Sequence, residues 1–168
     1  AYEASPYRIP VIGWASDLEG MNVDDLRDWY RLWYAPNNAT LVVVGDVVAD
    51  EVFALAEKHF GPLASEEVVA PKRRAEPEQR GEKRIRVKAP AKEPHLVMGY
   101  KATALGQDAE DWEPYALEML ASALDGGSSA RFSRQLVRGS KVAASAGAGY
   151  SAFTRLPGMF LIDGTPAK

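Results

Sequence analysis

The sequence contains no cysteine among its 168 residues. This absence excludes disulfide bonds, thiolate metal sites and a cysteine nucleophile together. Histidine is scarce as well: only His59 and His95 occur, and neither an H-x-x-E-H nor an H-E-x-x-H pattern is present. Because catalytic zinc usually takes three protein ligands, we expect neither histidine to bind a metal. We therefore assign no catalytic and no metal-binding residue to this sequence.

Long apolar runs and a strong net charge are also missing. The longest purely aliphatic run, from Leu41 to Val44, is far shorter than the roughly 20 residues of a membrane-spanning helix, so we predict no transmembrane segment. A net charge of −3 lacks the basic footprint of a nucleic-acid-binding protein. The densest basic run, Lys72-Arg73-Arg74, lies among glutamates and indicates a solvated linker.

The first part of the chain has a helix-strand-helix pattern. Asn22 can cap a helix over Val23–Tyr34, in which apolar residues recur at three- and four-residue spacing. The β-branched segment Thr40–Val44 predicts a buried strand. A second helix is predicted from Asp50 to Phe60, where Gly61-Pro62 stops it.

The second part begins after a stretch without apolar periodicity. This stretch is rich in proline and charge, so we predict a linker over residues 64–82. The predicted elements that follow are strands at Lys83–Lys88 and His95–Lys101, a long amphipathic helix at Asp108–Leu124, a shorter helix from Ser128 or Ser129 to Arg138, and strands at Val142–Tyr150 and Met159–Asp163. Adjacent strand pairs favour an α+β fold over repeated βαβ units.

Two glycine-rich segments resemble ligand-binding motifs. Gly147–Ala152 matches the G-x-G-x-x-A dinucleotide pattern, but no helical periodicity follows it, and small residues in a closely packed strand explain it better. Gly126-Gly127-Ser128-Ser129 could cradle an anion at a helix start. A turn between two helices, with a C-cap followed by an N-cap, explains the same residues, and we favour that interpretation.

Several segments, in the same order, resemble the pitrilysin / mitochondrial processing peptidase family of zinc metallopeptidases. The most specific is Tyr34-Ala35-Pro36-Asn37-Asn38, followed by a strand-like run and Gly45-Asp46. The other similar segments are Ala54–Gly61, Leu124–Phe132 and Pro157–Ile162. The resemblance implies two similar α+β domains, each with a mixed, largely antiparallel sheet covered by helices.

The resemblance also implies where this chain lies in a longer protein. Residues 1–63 correspond to the C-terminal half of the first domain, 64–82 to the interdomain linker, and 83–168 to the N-terminal part of the second domain. The chain starts at Ala1 without a methionine and stops directly after a strand-like run, so we interpret both ends as internal. In the family, zinc is held by an inverted H-x-x-E-H helix and a more distant glutamate, all preceding this region.

The function implied is that of a segment of a zinc-dependent endopeptidase, which degrades or processes short or unfolded peptides inside a closed chamber. The longer parent protein would bind zinc, whereas this chain would bind none. A second subunit of the same family is a possible partner. The resemblance favours the bacterial periplasm. Two alternatives remain open: a catalytically inactive partner subunit, or a structural core subunit of the same fold. An H-x-x-E-H motif about 60 to 160 residues upstream in the parent protein would identify it as the zinc-dependent enzyme and exclude the two alternatives.

One residue is a candidate for substrate binding through the resemblance. Partner subunits in two-chain members of the family grip substrate with an arginine and a tyrosine about seven residues later. Arg138 matches that arginine, whereas Ala144 lies roughly where the tyrosine would be. Because Ala144 has no phenol group, a substrate-binding role for Arg138 is weakened. A surface or ion-pair role is favoured instead.

We predict that the purified chain binds no zinc stoichiometrically and cleaves no peptide, because the ligand set is absent from its sequence. Metal analysis after chelator-free purification checks this. One tightly held zinc ion per chain would contradict it.

We also predict that limited trypsin digestion cuts first around Lys72-Arg73-Arg74, since exposed polar linkers are preferred sites of proteolysis. Mass spectrometry of early digestion products measures the order of cleavage. Early cutting inside Asp108–Leu124 would place the boundary between domains elsewhere.

Overall fold

In a computed structural model, which describes residues 1–72, 74–107 and 112–167, the chain divides into two units, Ala1–Gly81 and Glu82–Lys168. The division falls at the carboxyl end of the segment 64–82. The assignment of the two parts to halves of two domains of a longer protein stays a prediction.

The first unit is built from helices. Its elements are a 3₁₀ turn at Pro6–Arg8, helix α1 at Ala15–Gly20, helix α2 at Val23–Trp33, a 3₁₀ turn at Pro36–Asn38 and helix α3 at Ala49–Phe60. Asn22 Oδ1 accepts from the backbone N–H groups of Asp24 at 2.8 Å and Asp25 at 3.4 Å, and Asp25 Oδ2 accepts from Asn22 N at 2.9 Å. This reciprocal capping confirms the predicted start of α2.

Two predicted strands are wrong. Thr40–Val44 and Lys83–Lys88 form no strand, and no described segment pairs with either of them. Val42 and Val44 are 76% and 93% exposed, and Ile85 and Val87 are each 80% exposed. Their β-branched composition is suited to a sheet, but a strand needs a neighbour to receive its backbone hydrogen bonds.

The second unit contains helices and strands close to those predicted. Helix α4 starts after residues 108–111, which lie outside the described part, and the predicted shorter helix is a π-helical segment. The elements are β1 at Leu96–Ala102, α4 at Glu113–Asp125, the π-helical segment at Ser133–Gly139, β2 at Ala143–Gly149 and β3 at Gly158–Pro166.

The three strands form one antiparallel sheet in the order β1-β3-β2. β3 is central: Phe160 pairs with Tyr100 of β1, and Gly164 pairs with Ala146 of β2. The register shifts between Ala143 and Ser145, so Ala144 is the extra residue of a bulge. Helix α4 and the π-helical segment pack against β2, which confirms the α+β class.

Buried apolar side chains gather at one end of this sheet. Ala104, Ala152 and Phe160 are at most 5% exposed, and Pro114 in the first turn of α4 is buried with them. Leu105 N donates to Ala152 O at 3.0 Å, which joins the loop after β1 to the loop after β2. This end of the sheet is the core of the second unit.

The exposed area is large for the size of the chain. The accessible surface is 14046 Å², whereas two compact units of half the 18.3 kDa mass would expose about 4,900 Å² each. The excess of about 4,000 Å² exceeds a standard protein interface. Trp29, Phe53 and Phe60 are each more than half exposed.

We expect the chain to self-associate, because it leaves unpaired strand edges and apolar helix faces open to other copies. Light scattering across a concentration series measures the mass. A constant mass near 18.3 kDa at high concentration would contradict this expectation. Val42→Lys tests pairing through the valine segment and should lower association, whereas Val11→Lys, at a fully exposed turn, is the matched control.

Candidate functional site

The glycine-rich turn after α4 carries the candidate substrate-binding residue. Gly127 has φ of 119°, a left-handed conformation in which a side chain would be strained. Ala130 N then donates to Gly127 O at 3.0 Å and starts the next helical turn. The segment Gly126 to Ser129 is therefore a connection between two helical elements, with Gly126 at the C-cap of α4. The predicted N-cap at Ser128 or Ser129 is wrong, because Phe132 lies at the N-cap of the π-helical segment and no side chain makes a capping hydrogen bond there.

Two arginines from the following helical segment reach back to carbonyl groups at the end of α4 and in this turn. Arg131 Nη1 donates to Ala123 O at 3.5 Å, and the Arg138 guanidinium donates to Ser128 O. The last carbonyls of a helix have no intrahelical donor, and a cation there is favoured by the helix dipole. Arg138 therefore has a structural role, and its substrate-binding role stays a prediction.

Gly147 of β2 allows two carboxylates to approach the strand. A Cβ atom there would lie 2.9 Å from Asp163 Oδ1 and 3.4 Å from Asp125 Oδ2. Asp125 Oδ2 also accepts from Ala148 N at 3.4 Å, which connects the end of α4 to the edge of the sheet. Small residues in β2 thus serve close packing, and the G-x-G-x-x-A pattern lies on a strand end and a loop where no helix begins.

Glu118 and Tyr150 fix the loop beyond β2, and the sequence reasoning missed both. Glu118 Oε1 accepts from Ala152 N at 2.9 Å, and the Tyr150 hydroxyl donates to Thr103 O at 2.7 Å. The rings of Tyr150 and Phe160 stack with centroids 6.3 Å apart. The sequence offered one signal, because Glu118 interrupts the apolar positions of the predicted helix.

The surroundings of Tyr150 alter its acidity. Burial raises the pKa of the Tyr150 phenol, and the carboxylates of Glu118 and Glu113 raise it further. The neutral phenol, which donates to Thr103 O, is therefore the form that this environment favours.

The two histidines belong to different units. His59 is in the last turn of α3 in the first unit, and His95 directly precedes β1 in the second. Among the described residues, no group of three or more histidine, cysteine, aspartate or glutamate side chains could hold a metal ion. Within the same residues, no helix combines the length and apolarity required to cross a bilayer.

The fold and the site define an α+β segment whose polar side chains position its loops. A crystal structure of a protease from Helicobacter pylori matches 98% of this chain with a TM-score of 0.83 and 28% identity, over 40% of that protease chain. A family model described as the Peptidase M16 inactive domain matches residues 20–167. The chain belongs to the peptidase M16 family, which confirms the resemblance to the pitrilysin-type metallopeptidases.

Two curated relatives carry zinc protease names. The chain is 31% identical over 149 residues to the zinc protease PqqE of Helicobacter pylori, covering 87% of this chain and 33% of that protein. It is 36% identical over 52 residues to the probable zinc protease PqqL of Escherichia coli, covering 31% of this chain and 6% of that protein. The chain thus spans about a third of PqqE and a small part of PqqL.

We predict that Tyr150→Phe lowers the free energy of unfolding of the second unit by about 1 kcal/mol at pH 7, since it removes one hydrogen bond. The folded-state pKa of Tyr150 is raised. The wild type should therefore have the larger free energy of unfolding below pH about 10, and this difference from the variant should be lost as pH rises through the folded-state pKa. Denaturant unfolding of both proteins from pH 7 to pH 11 measures the difference.

Tyr100→Phe is the matched control, because the Tyr100 side chain is 58% exposed in β1. This variant should differ little from the wild type at every pH. A difference between wild type and Tyr150→Phe that stays constant to pH 11 would contradict the role assigned to the Tyr150 hydroxyl.

Proposed function

We propose that this chain is the non-catalytic segment of a zinc-dependent endopeptidase and forms part of the wall of a closed chamber in which short or unfolded peptides are cleaved. The observation that carries the proposal is the inactive-domain match over residues 20–167. It is supported by 31% identity to a protein named a zinc protease along 87% of the chain.

The described residues of this chain do not fit a catalytic zinc ion. His59 and His95 belong to different units, and the described side chains form no metal-holding group. We therefore assign zinc to a part of the longer protein outside this chain and derive no catalytic step from the residues present. The contribution of this chain is to enclose and contact the peptide.

Arg138 is the proposed peptide contact. Its side chain is exposed, and a guanidinium has five N–H donors, so the hydrogen bond to Ser128 O leaves others able to meet a peptide carbonyl or carboxylate. Ala144, exposed at the bulge of β2, supplies no second polar group. Arg138 would therefore act without the tyrosine that accompanies the corresponding arginine in two-chain members.

A chimera tests the proposed function. The aligned third of Helicobacter pylori PqqE is replaced by residues 20–167 of this chain, and hydrolysis of an unstructured fluorogenic peptide is measured. We expect hydrolysis that a chelator abolishes and zinc restores. A chimera that folds and binds zinc but cleaves no peptide would contradict the proposal and favour an inactive partner or scaffold role.

Arg138→Ala in the chimera should raise KM about tenfold with little change in kcat, the size expected for loss of a charged hydrogen bond to the peptide. Arg134→Ala is the control, because Arg134 is an exposed arginine on the same π-helical segment. If Arg138→Ala lowers only the thermal stability, the residue is structural. A second family subunit and a periplasmic location stay predictions, tested by co-purification and fractionation in the native host.

A further inference from the structure

The carboxyl-terminal part of the first unit is held against its amino-terminal turn by a part-buried set of hydrogen bonds. Glu76 Oε2 accepts from Ala4 N and Ser5 N, each at 2.8 Å, and from Glu3 N at 3.1 Å. Glu76 Oε1 accepts from Glu3 N at 2.9 Å. Three consecutive backbone N–H groups thus converge on a single carboxylate.

This arrangement is a nest for an anion that the chain fills with its own side chain. Successive backbone N–H groups that point to one side form a concave site for negative charge, and hydrogen bonds to an ionised acceptor are among the stronger ones. Ser5 is only 3% exposed, and its hydroxyl accepts from Tyr7 N at 3.3 Å, so the turn that presents the N–H groups is itself fixed.

Two aromatic rings pack together in the same amino-terminal turn. The rings of Tyr2 and Tyr7 meet edge to face with centroids 6.0 Å apart. Glu76 is half-buried, whereas residues 74–75 and 77–82 around it are exposed. Glu76 therefore ties this exposed stretch to the amino-terminal turn of the first unit.

A second anchor lies ten residues earlier. Asn37 Nδ2 donates to Glu66 O at 3.0 Å, and Asn37 Oδ1 accepts from Glu66 N at 3.0 Å. The side-chain amide thus pairs with both backbone groups of Glu66, as a neighbouring strand would. Residues 67–75 lie between the two anchors, and the basic run around Lys72 belongs to this span.

We propose that Glu76 is a latch, whose carboxylate holds residues 67–76 against the amino-terminal turn of the first unit. When these hydrogen bonds break, the ten residues become part of a longer flexible connection between the units. At 3.3 to 3.6 Å per extended residue, release adds up to about 35 Å of reach. The latch is independent of the proposed peptidase function, since it involves only contacts within the first unit.

Hydrogen exchange and trypsin digestion of the full chain test the latch. In Glu76→Ala, the backbone amides of residues 3–5 should exchange about tenfold faster, and cleavage after Lys72 and Arg74 should accelerate about tenfold, because both report opening of the latch. Glu76→Gln keeps one acceptor oxygen but no charge and should lie between wild type and Glu76→Ala. Exchange in α2 should stay unchanged.

Glu78→Ala is the matched control, since it removes a glutamate two residues away that is exposed. It should leave both rates within about twofold of the wild type. The proposal is overturned if Glu76→Ala changes neither rate, if Glu78→Ala changes them equally, or if exchange in α2 rises with that of residues 3–5, which would mean that the unit unfolds as a whole.

Discussion

β3 is hydrogen-bonded along both of its edges, and the second unit depends on that double pairing. Strands β1 and β2 meet only through β3, and α4 packs on the sheet at β2. A strand has no internal hydrogen bonds, so each of its backbone N–H and C=O groups needs an acceptor or donor from a neighbour or from water. Where a neighbouring strand is available, the strand-like sequences of the second unit form strands.

The same requirement explains the contrast between the two units. A helix satisfies its backbone within its own segment, so α2 and α3 form even though many of their apolar side chains are exposed. Thr40–Val44 is rich in apolar β-branched residues but has no described partner, and it forms no strand. Whether a helix forms here depends mainly on the local sequence, whereas whether a strand forms depends on which other segments lie beside it.

Polar side chains hold the connections of this chain by bonding to backbone groups. Glu76 binds N–H groups of the amino-terminal turn, Asp125 and Glu118 bind N–H groups at and beyond β2, and Arg138 binds a carbonyl of the turn after α4. Such contacts position loops that have no regular hydrogen bonding of their own.

The sequence by itself determined helices α2, α3 and α4 and the turn that presents Arg138, whereas α1 and the π-helical form of Ser133–Gly139 were not predicted. The capping box at Asn22 and the glycines after α4 act within a few residues, so local chemistry was enough to locate them. It also determined the family, through the order of short motifs that include Tyr34 to Asn38. Tertiary structure alone decided which β-branched segments became strands and which charged residues became anchors. The partners of Glu76, Asp125 and Tyr150 lie 23 to 73 residues away in the chain, and no local pattern encodes such separations.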